Sequence, residues 1–297
     1  MKLIVTATDF SEVAENATHY ACQLAVAQNA RLVIIHSFLF PVMFSDVPMP
    51  SSLISDVETD SEGQMKITVH NLQQAYPALD IQGTVIDGDI ISALEKYSEQ
   101  NQEPWLVVLG NSMAAEHASS IDSIVISAFR LMKYPVLAIP PGAVFKPVKK
   151  ICLAFDNKHE GNAKALTQLK DIAMAFSAEL EVLNLQIDVF NRDNMTDIDE
   201  AAINILAPAN PHFHIIYDVN NIENAITDFV DKNNVDWLIM IPRKHSFFEG
   251  LFHKSHSTAM AHKSHIPIVA LHETSVQDTA PSPLQQAQDD KGEDEVV

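Results

Sequence analysis

The chain has 297 residues, enough for about two ordinary domains, and its 47% hydrophobic and 20% charged content is that of a globular protein. A formal net charge of −20 argues against non-specific binding to nucleic acid or to anionic lipid. No apolar run nears the roughly 20 residues that span a bilayer, and Cys22 and Cys152 form no CxxC pair, which leaves no sign of a disulfide framework or a cysteine zinc site.

Leu3–Thr8 is a continuous apolar run that meets Asp9. It predicts a strand buried on both faces rather than a secretory signal, which needs a longer apolar region and a small-residue cleavage site. Ser11 is placed to cap a helix whose buried face is Ala14, Ala17, Tyr20, Ala21, Leu24 and Ala25 at i+3 and i+4 spacing. Leu32–His36 predicts a second strand. The Pro- and Ser-rich stretch Pro41–Ser61 predicts a long loop, followed by a helix over Glu62–Ala75 that stops before Pro77. Ile81–Ile86 predicts a strand, Asp89–Gln100 a helix, Leu106–Leu109 a strand, Ile121–Met132 a helix and Pro135–Ile139 a fifth strand. Alternating strands and helices of this kind build a parallel sheet.

The same order then starts again. Strands are predicted at 151–155, 180–184, 213–217, 237–241 and 267–271. Trp105-Leu106-Val107-Val108-Leu109 returns 132 positions later as Trp237-Leu238-Ile239-Met240-Ile241, and Pro135-Val136-Leu137-Ala138 returns at that offset as Pro267-Ile268-Val269-Ala270. The first two strands repeat at 147 to 148, so copy one carries about 15 extra residues, assigned to the loop after its second strand. The division is residues 1–141, a Pro-rich linker at 142–149, residues 150–273, and an acidic tail at 274–297 whose composition predicts disorder. Both cysteines fall in apolar patterns and read as small buried hydrophobes, and a cytoplasmic location is consistent with that.

Thr8-Asp9-Phe10-Ser11, Ile35-His36, Gly88-Asp89, Leu109-Gly110 and Tyr134-Pro135-Val136-Leu137, in that order and spacing, resemble the universal stress protein family. The second copy carries the resemblance in Phe155-Asp156-Asn157-Lys158 and Ile266-Pro267-Ile268-Val269. The resemblance implies an α/β fold of two tandem flavodoxin-like, Rossmann-like domains, each a five-stranded parallel sheet flanked by helices. It also implies pairing through the last strand, here between the two copies of one chain, with a homodimer as the other arrangement.

Members of that family that bind ATP have a Gly-x2-Gly-x9-Gly-(Ser/Thr) loop after the fourth strand, whose backbone approaches the phosphates. An Asp at the end of strand one receives the adenine or ribose end. Copy one keeps Asp9, Gly110 with Asn111 beside it, and Ser123, but has Met113 and Asp122 at the other two glycine positions. Copy two keeps Asp156 and Ser255, with Ile241, Lys244 and Lys254 at the glycine positions. Side chains there intrude on a phosphate nest, although Lys244 and Lys254 suit a small anion as point charges. For Asp9 and Asp156 the alternative is a structural Asp that caps the following helix. His253 and His256, and His262 and His265, have near-helical spacing that permits a metal site. Few carboxylates lie nearby, so solvated or capping histidines are the default, and the same default covers His245 and His272. The sequence calls for no firm cofactor. Its expected function is a non-enzymatic stress-response module that binds or regulates protein partners it does not identify. The alternatives are an ATP- or adenine-nucleotide-binding protein with slow hydrolysis, and a metal- or pH-responsive interaction protein.

Overall fold

A computed structural model describes residues 1–39, 51–111, 124–155, 163–186, 200–217, 222–242 and 266–272. The first unit runs β1 (Leu3–Ala7), α1 (Glu12–Gln28), β2 (Arg31–Phe38), α2 (Ser51–Ala75), β3 (Ile81–Asp87), α3 (Ile90–Gln100), β4 (Leu106–Gly110), α4 (Ile124–Leu131) and β5 (Val136–Ile139). The second runs β6 (Lys150–Phe155), α5 (Ala163–Phe176), β7 (Glu179–Gln186), α6 (Glu200–Leu206), β8 (His212–Tyr217), α7 (Ile222–Asn233), β9 (Trp237–Met240) and β10 (Ile268–Ala270). The strands form one sheet in the order β3-β2-β1-β4-β5-β10-β9-β6-β7-β8. Every neighbouring pair is parallel except β5 with β10, which is antiparallel.

That one antiparallel pair joins the units as the family resemblance implies. Leu137 lies opposite Val269, its own counterpart in the repeat, with Ala138 opposite Ile268 and Val136 opposite Ala270. A local two-fold axis therefore passes through the seam, and the contact is isologous within one chain. The pairing covers β5 and β10, whose residues are all buried and which would otherwise be apolar edges.

Two layers of helices enclose the sheet. On one face α1, α2 and α5 pack on Ile4, Ile34, Leu106, Leu153 and Trp237. On the other, α3, α4 and α7 pack on Val5, Val107, Cys152 and Leu238. Cys22 and Cys152 are buried, and burial pushes both thiols up to about 12, so neither is a ready nucleophile.

One predicted boundary is corrected. The loop expected over Pro41–Ser61 is helical from Ser51, because α2 runs through Ser51–Ala75. Its inner stripe recurs every third or fourth residue through Ser61, Met65, Val69 and Leu72, with Met65 and Leu72 buried. Gly83 of β3 makes room for it, since a Cβ there would lie 2.5 Å from Met65 Sδ.

His272, just beyond β10, ties the second unit to the first. It is buried, and its Nε2–H donates to the Phe129 carbonyl in the last turn of α4 at 2.7 Å. Burial outweighs that bond and holds the imidazole below its usual pKa. The unfolded chain takes up this proton near pH 6.5, whereas the folded one does so only at lower pH. The stability contributed by neutral His272 is therefore complete above pH 6.5 and is lost as pH falls through the depressed folded value. His272→Gln should flatten the fall in urea stability between pH 7 and pH 5. Parallel curves for the two proteins would show that His272 does not titrate against folding.

Candidate functional site

In each half of the sheet the strand order reverses, between β1 and β4 in the first unit and between β6 and β9 in the second. At such a switch point the loops diverge and leave a crevice at the carboxyl ends of the strands. In the first unit the carboxyl ends of the strands carry Thr8 to Ser11 after β1, His36 in β2, and Gly110 and Asn111 at the end of β4.

Beyond β1 the chain turns sharply into α1. Thr8 Oγ1 accepts from the Phe10 N–H at 3.0 Å, and Asp9 Oδ1 accepts from the Ser11 N–H at 3.0 Å. Ser11 Oγ then accepts from Ala14 N–H at 3.3 Å, so Ser11 is the helix cap and Asp9 closes the Asx turn before it. Phe10 sits at φ 62°, a left-handed conformation that a bulky side chain rarely adopts. Its ring lies against His36, with centroids 4.5 Å apart. The Thr8 carbonyl accepts from His36 Nδ1–H at 2.8 Å, which fixes the ring and leaves Nε2 as the acceptor of the neutral form. Partial burial pushes the Asp9 carboxyl up, but the Ser11 hydroxyl and N–H and nearby His36 outweigh it, and the net shift is down. An ionised, exposed carboxylate thus stands just beyond the carboxyl end of β1.

Gly110 has a packing reason for being glycine. A Cβ there would lie 2.8 Å from the Val13 backbone oxygen and 2.9 Å from Val13 Cγ1, because α1 crosses directly over the end of β4. Asn111 is half-buried, and its N–H continues the ladder by donating to the Ile139 carbonyl at 2.9 Å. Beside the turn, a cavity of about 220 Å³ opens between α1 and α2, lined by Thr8, Phe10, Glu15, Thr18, His19 and Asn71 among others. That is smaller than the roughly 300 Å³ at which drug-sized ligand pockets begin, so on its own it suits a base or a sugar rather than a whole nucleotide.

The structure thus sets Asp9 and Asn111 just beyond the ends of the neighbouring strands β1 and β4, with Gly110 closing β4. Ser123, Asp156, Lys244, Lys254 and Ser255 lie outside the described residues, as do His253, His256, His262 and His265. In the second unit, Cys152 pairs with Leu238 as Val5 pairs with Val107 in the first. This register makes Ile241 the counterpart of Gly110, as the sequence reading had it, and Pro242 the counterpart of Asn111. Proline has no N–H to offer a phosphate.

One ionic cluster had no signal in the sequence. Glu181, 4% exposed on β7, is held by His214 Nε2 at 2.6 Å, Lys150 Nζ at 3.4 Å and His212 Nδ1 at 3.6 Å. His212 and His214 alternate along β8, but nothing in the sequence pairs them with Glu181, which follows Glu179 in β7. Among the described residues no group of three or more His, Cys, Asp or Glu side chains is arranged to hold a metal ion. No described helix is long and apolar enough to cross a membrane.

Residues 1–140 and 186–272 match the profile of the Universal stress protein family. Among solved structures, a universal stress protein from Archaeoglobus fulgidus aligns with 92% of this chain and 98% of its own, at 15% identity and a TM-score of 0.67. A functionally unknown protein from Pseudomonas aeruginosa aligns with 92% of this chain and 93% of its own, at 12% identity and a TM-score of 0.51. A second universal stress protein structure from Archaeoglobus fulgidus, in complex with dAMP, aligns all of its chain with 43% of this one, at 14% identity and a TM-score of 0.31. At these identities the first two likenesses are of fold alone. No curated protein matches the sequence.

Proposed function

Because the chain belongs to the universal stress protein family, we propose that it acts as a non-enzymatic tandem module of the stress response. It binds or regulates partners in the cytoplasm, and its nucleotide-type loops no longer hold a triphosphate. The observation that carries this reading is Gly110. Of the three loop glycines, the one that copy one retains is accounted for by Val13 of α1 pressing on it. The residue therefore needs no phosphate to explain it, and in copy two Ile241 takes its place while Pro242 beside it withholds an N–H.

A second reading, a small adenine-type ligand in the first unit, is favoured by the ionised Asp9 at the switch point and the cavity that shares Thr8 and Phe10 with it. Thermal unfolding with millimolar Mg-ATP, AMP or pyrophosphate separates the two. A ligand at 100 times its dissociation constant adds about 2.7 kcal/mol, which at about 2–4 °C per kcal/mol is a rise of roughly 5–10 °C. The expected result is no rise with ATP. A rise with ATP or AMP would replace the first reading by the second. A rise with pyrophosphate alone would direct attention to Lys244 and Lys254.

A further inference from the structure

The stretch between β5 and β6 builds a cleft that neither unit has alone. Beyond β5, Pro140-Pro141-Gly142-Ala143 makes a tight turn, with Gly142 at φ 72° and the Ala143 N–H donating to the Pro140 carbonyl at 3.1 Å. Proline followed by a left-handed glycine at the two central positions is the type II turn. The chain then lands on the first unit, where Phe145 meets Tyr20 edge-on with ring centroids 5.3 Å apart. It is tied to the second unit at Asp236, whose Oδ2 accepts from the Lys149 N–H at 2.7 Å and the Lys150 N–H at 2.9 Å. Held at both places, the stretch forms an arch.

Between the arch and the end of α7 lies a cleft of about 550 Å³, lined by Ala143 and Val144 from the arch and by Val230, Asp231 and Asn234 from the α7 end. That end is set by its cap, since Asn234 is left-handed at φ 52° and the Val235 N–H returns to the Val230 carbonyl at 3.0 Å. Tyr20 of α1, Trp237 of β9 and Pro267 before β10 complete the apolar lining. The volume lies within the roughly 300–1,000 Å³ of small-molecule sites, which favour boundaries between domains.

The polar groups of the cleft narrow the chemistry. Trp237 Nε1–H donates to the Tyr20 hydroxyl at 2.8 Å, and nothing among the described residues accepts the hydroxyl's own proton. Tyr20 is 3% exposed. Burial, helped by the nearby Asp236 carboxylate, pushes the phenol up, so it remains a donor in want of an acceptor. Asp236 takes both backbone N–H groups on Oδ2, which leaves Oδ1 as an acceptor. Lys146 and Asp231 also line the cleft. A simple amine leaves Tyr20 and Lys146 unanswered, and a simple carboxylate faces both aspartates. A molecule that carries both kinds of charge answers all four groups, while Val144, Val230 and Val235 receive its apolar part. One lysine stands against two aspartates in the lining. A basic amino acid, with two cationic groups and one carboxylate, matches that balance.

We propose that this cleft binds a free basic amino acid, with its carboxylate at Lys146 and the Tyr20 hydroxyl and its ammonium groups at Asp236 and Asp231. The test is equilibrium dialysis of the full chain with radiolabelled lysine. Unlabelled cadaverine, which lacks the carboxylate, and norleucine, which lacks the second ammonium, serve as competitors. Lysine is expected to bind with a Kd below about 1 mM, and both competitors at least about tenfold more weakly. Lys146→Gln, at an exposed position, should weaken lysine about tenfold and leave cadaverine unchanged. Tyr20→Phe should do the same, and unchanged far-UV circular dichroism of each variant guards against misfolding as the cause. No retained lysine at millimolar concentration would overturn the proposal. Equal binding of lysine and cadaverine would also overturn it, by assigning the cleft to simple amines. Lysine binding that neither substitution weakens would place the amino acid elsewhere on the chain and sink the assignment.

Discussion

Trp237→Ala is expected to cost about 3–5 kcal/mol of folding stability, the range for deleting a fully buried indole. Trp237 is 1% exposed, opens β9, and meets Phe176 of α5 edge-on with ring centroids 5.0 Å apart. Its only polar atom is satisfied across the seam by Tyr20 of the first unit. Truncation therefore empties the junction of both units and deprives the buried Tyr20 hydroxyl of its donor. Trp237→Phe separates these contributions, since it keeps most of the ring and removes the N–H, at about 1–3 kcal/mol for the lost bond. Urea unfolding followed by far-UV circular dichroism gives both numbers without relying on tryptophan fluorescence. A loss below about 1 kcal/mol for Trp237→Ala would mean that the seam repacks freely. For a protein of ordinary stability, about 5–15 kcal/mol, the expected loss is a large fraction of the whole.

Gly110→Ala should cost about 1–3 kcal/mol, as overpacking does when the neighbour cannot move aside. The nearest neighbour of the added methyl is a backbone oxygen of α1. That helix is pinned by the buried Ala14, Ala17 and Ala21, and its N-terminus is set by Ser11. The methyl group must therefore push α1 and, with it, the turn that holds Asp9 and Phe10. Asn111→Ala next door is half-exposed and should change stability by less than about 0.5 kcal/mol. If Gly110→Ala instead left the urea midpoint unchanged, the packing account of this glycine would fail and a ligand-binding reason would return.

The architecture was legible because it is periodic. The offset of 132 residues links Trp105 with Trp237 and Leu137 with Val269, and the structure sets the second pair face to face across the seam. Strand interiors were legible because they are continuous apolar runs buried on both faces. The start of α2 was not, because Ser, Thr and Asp in its first turns carry turn propensity, while the stripe from Ser61 to Leu72 that packs on the sheet begins only later.

The candidate site was legible only in part, for a different reason. Asp9 and Gly110 could be chosen from the residues alone. The partner that makes Gly110 obligatory is a main-chain atom of Val13, nearly a hundred positions away, and leaves no trace in composition. The same holds for His272, whose acceptor is the carbonyl of Phe129, and for Glu181, which only its buried place on β7 reveals as a meeting point for His212, His214 and Lys150.

The pairing of β5 with β10 also has a consequence during synthesis. Ala138 waits for Ile268, about 130 codons downstream. At about 5–20 residues per second the ribosome needs on the order of ten seconds to deliver it. Throughout that interval the first unit can already fold while Val136–Ile139 stands as an unpaired apolar rim. Two nascent chains on one message carry the same self-complementary rim side by side. Whatever shields that rim during those seconds, chaperone or speed of elongation, governs how much of the protein reaches its own fold rather than a neighbour's.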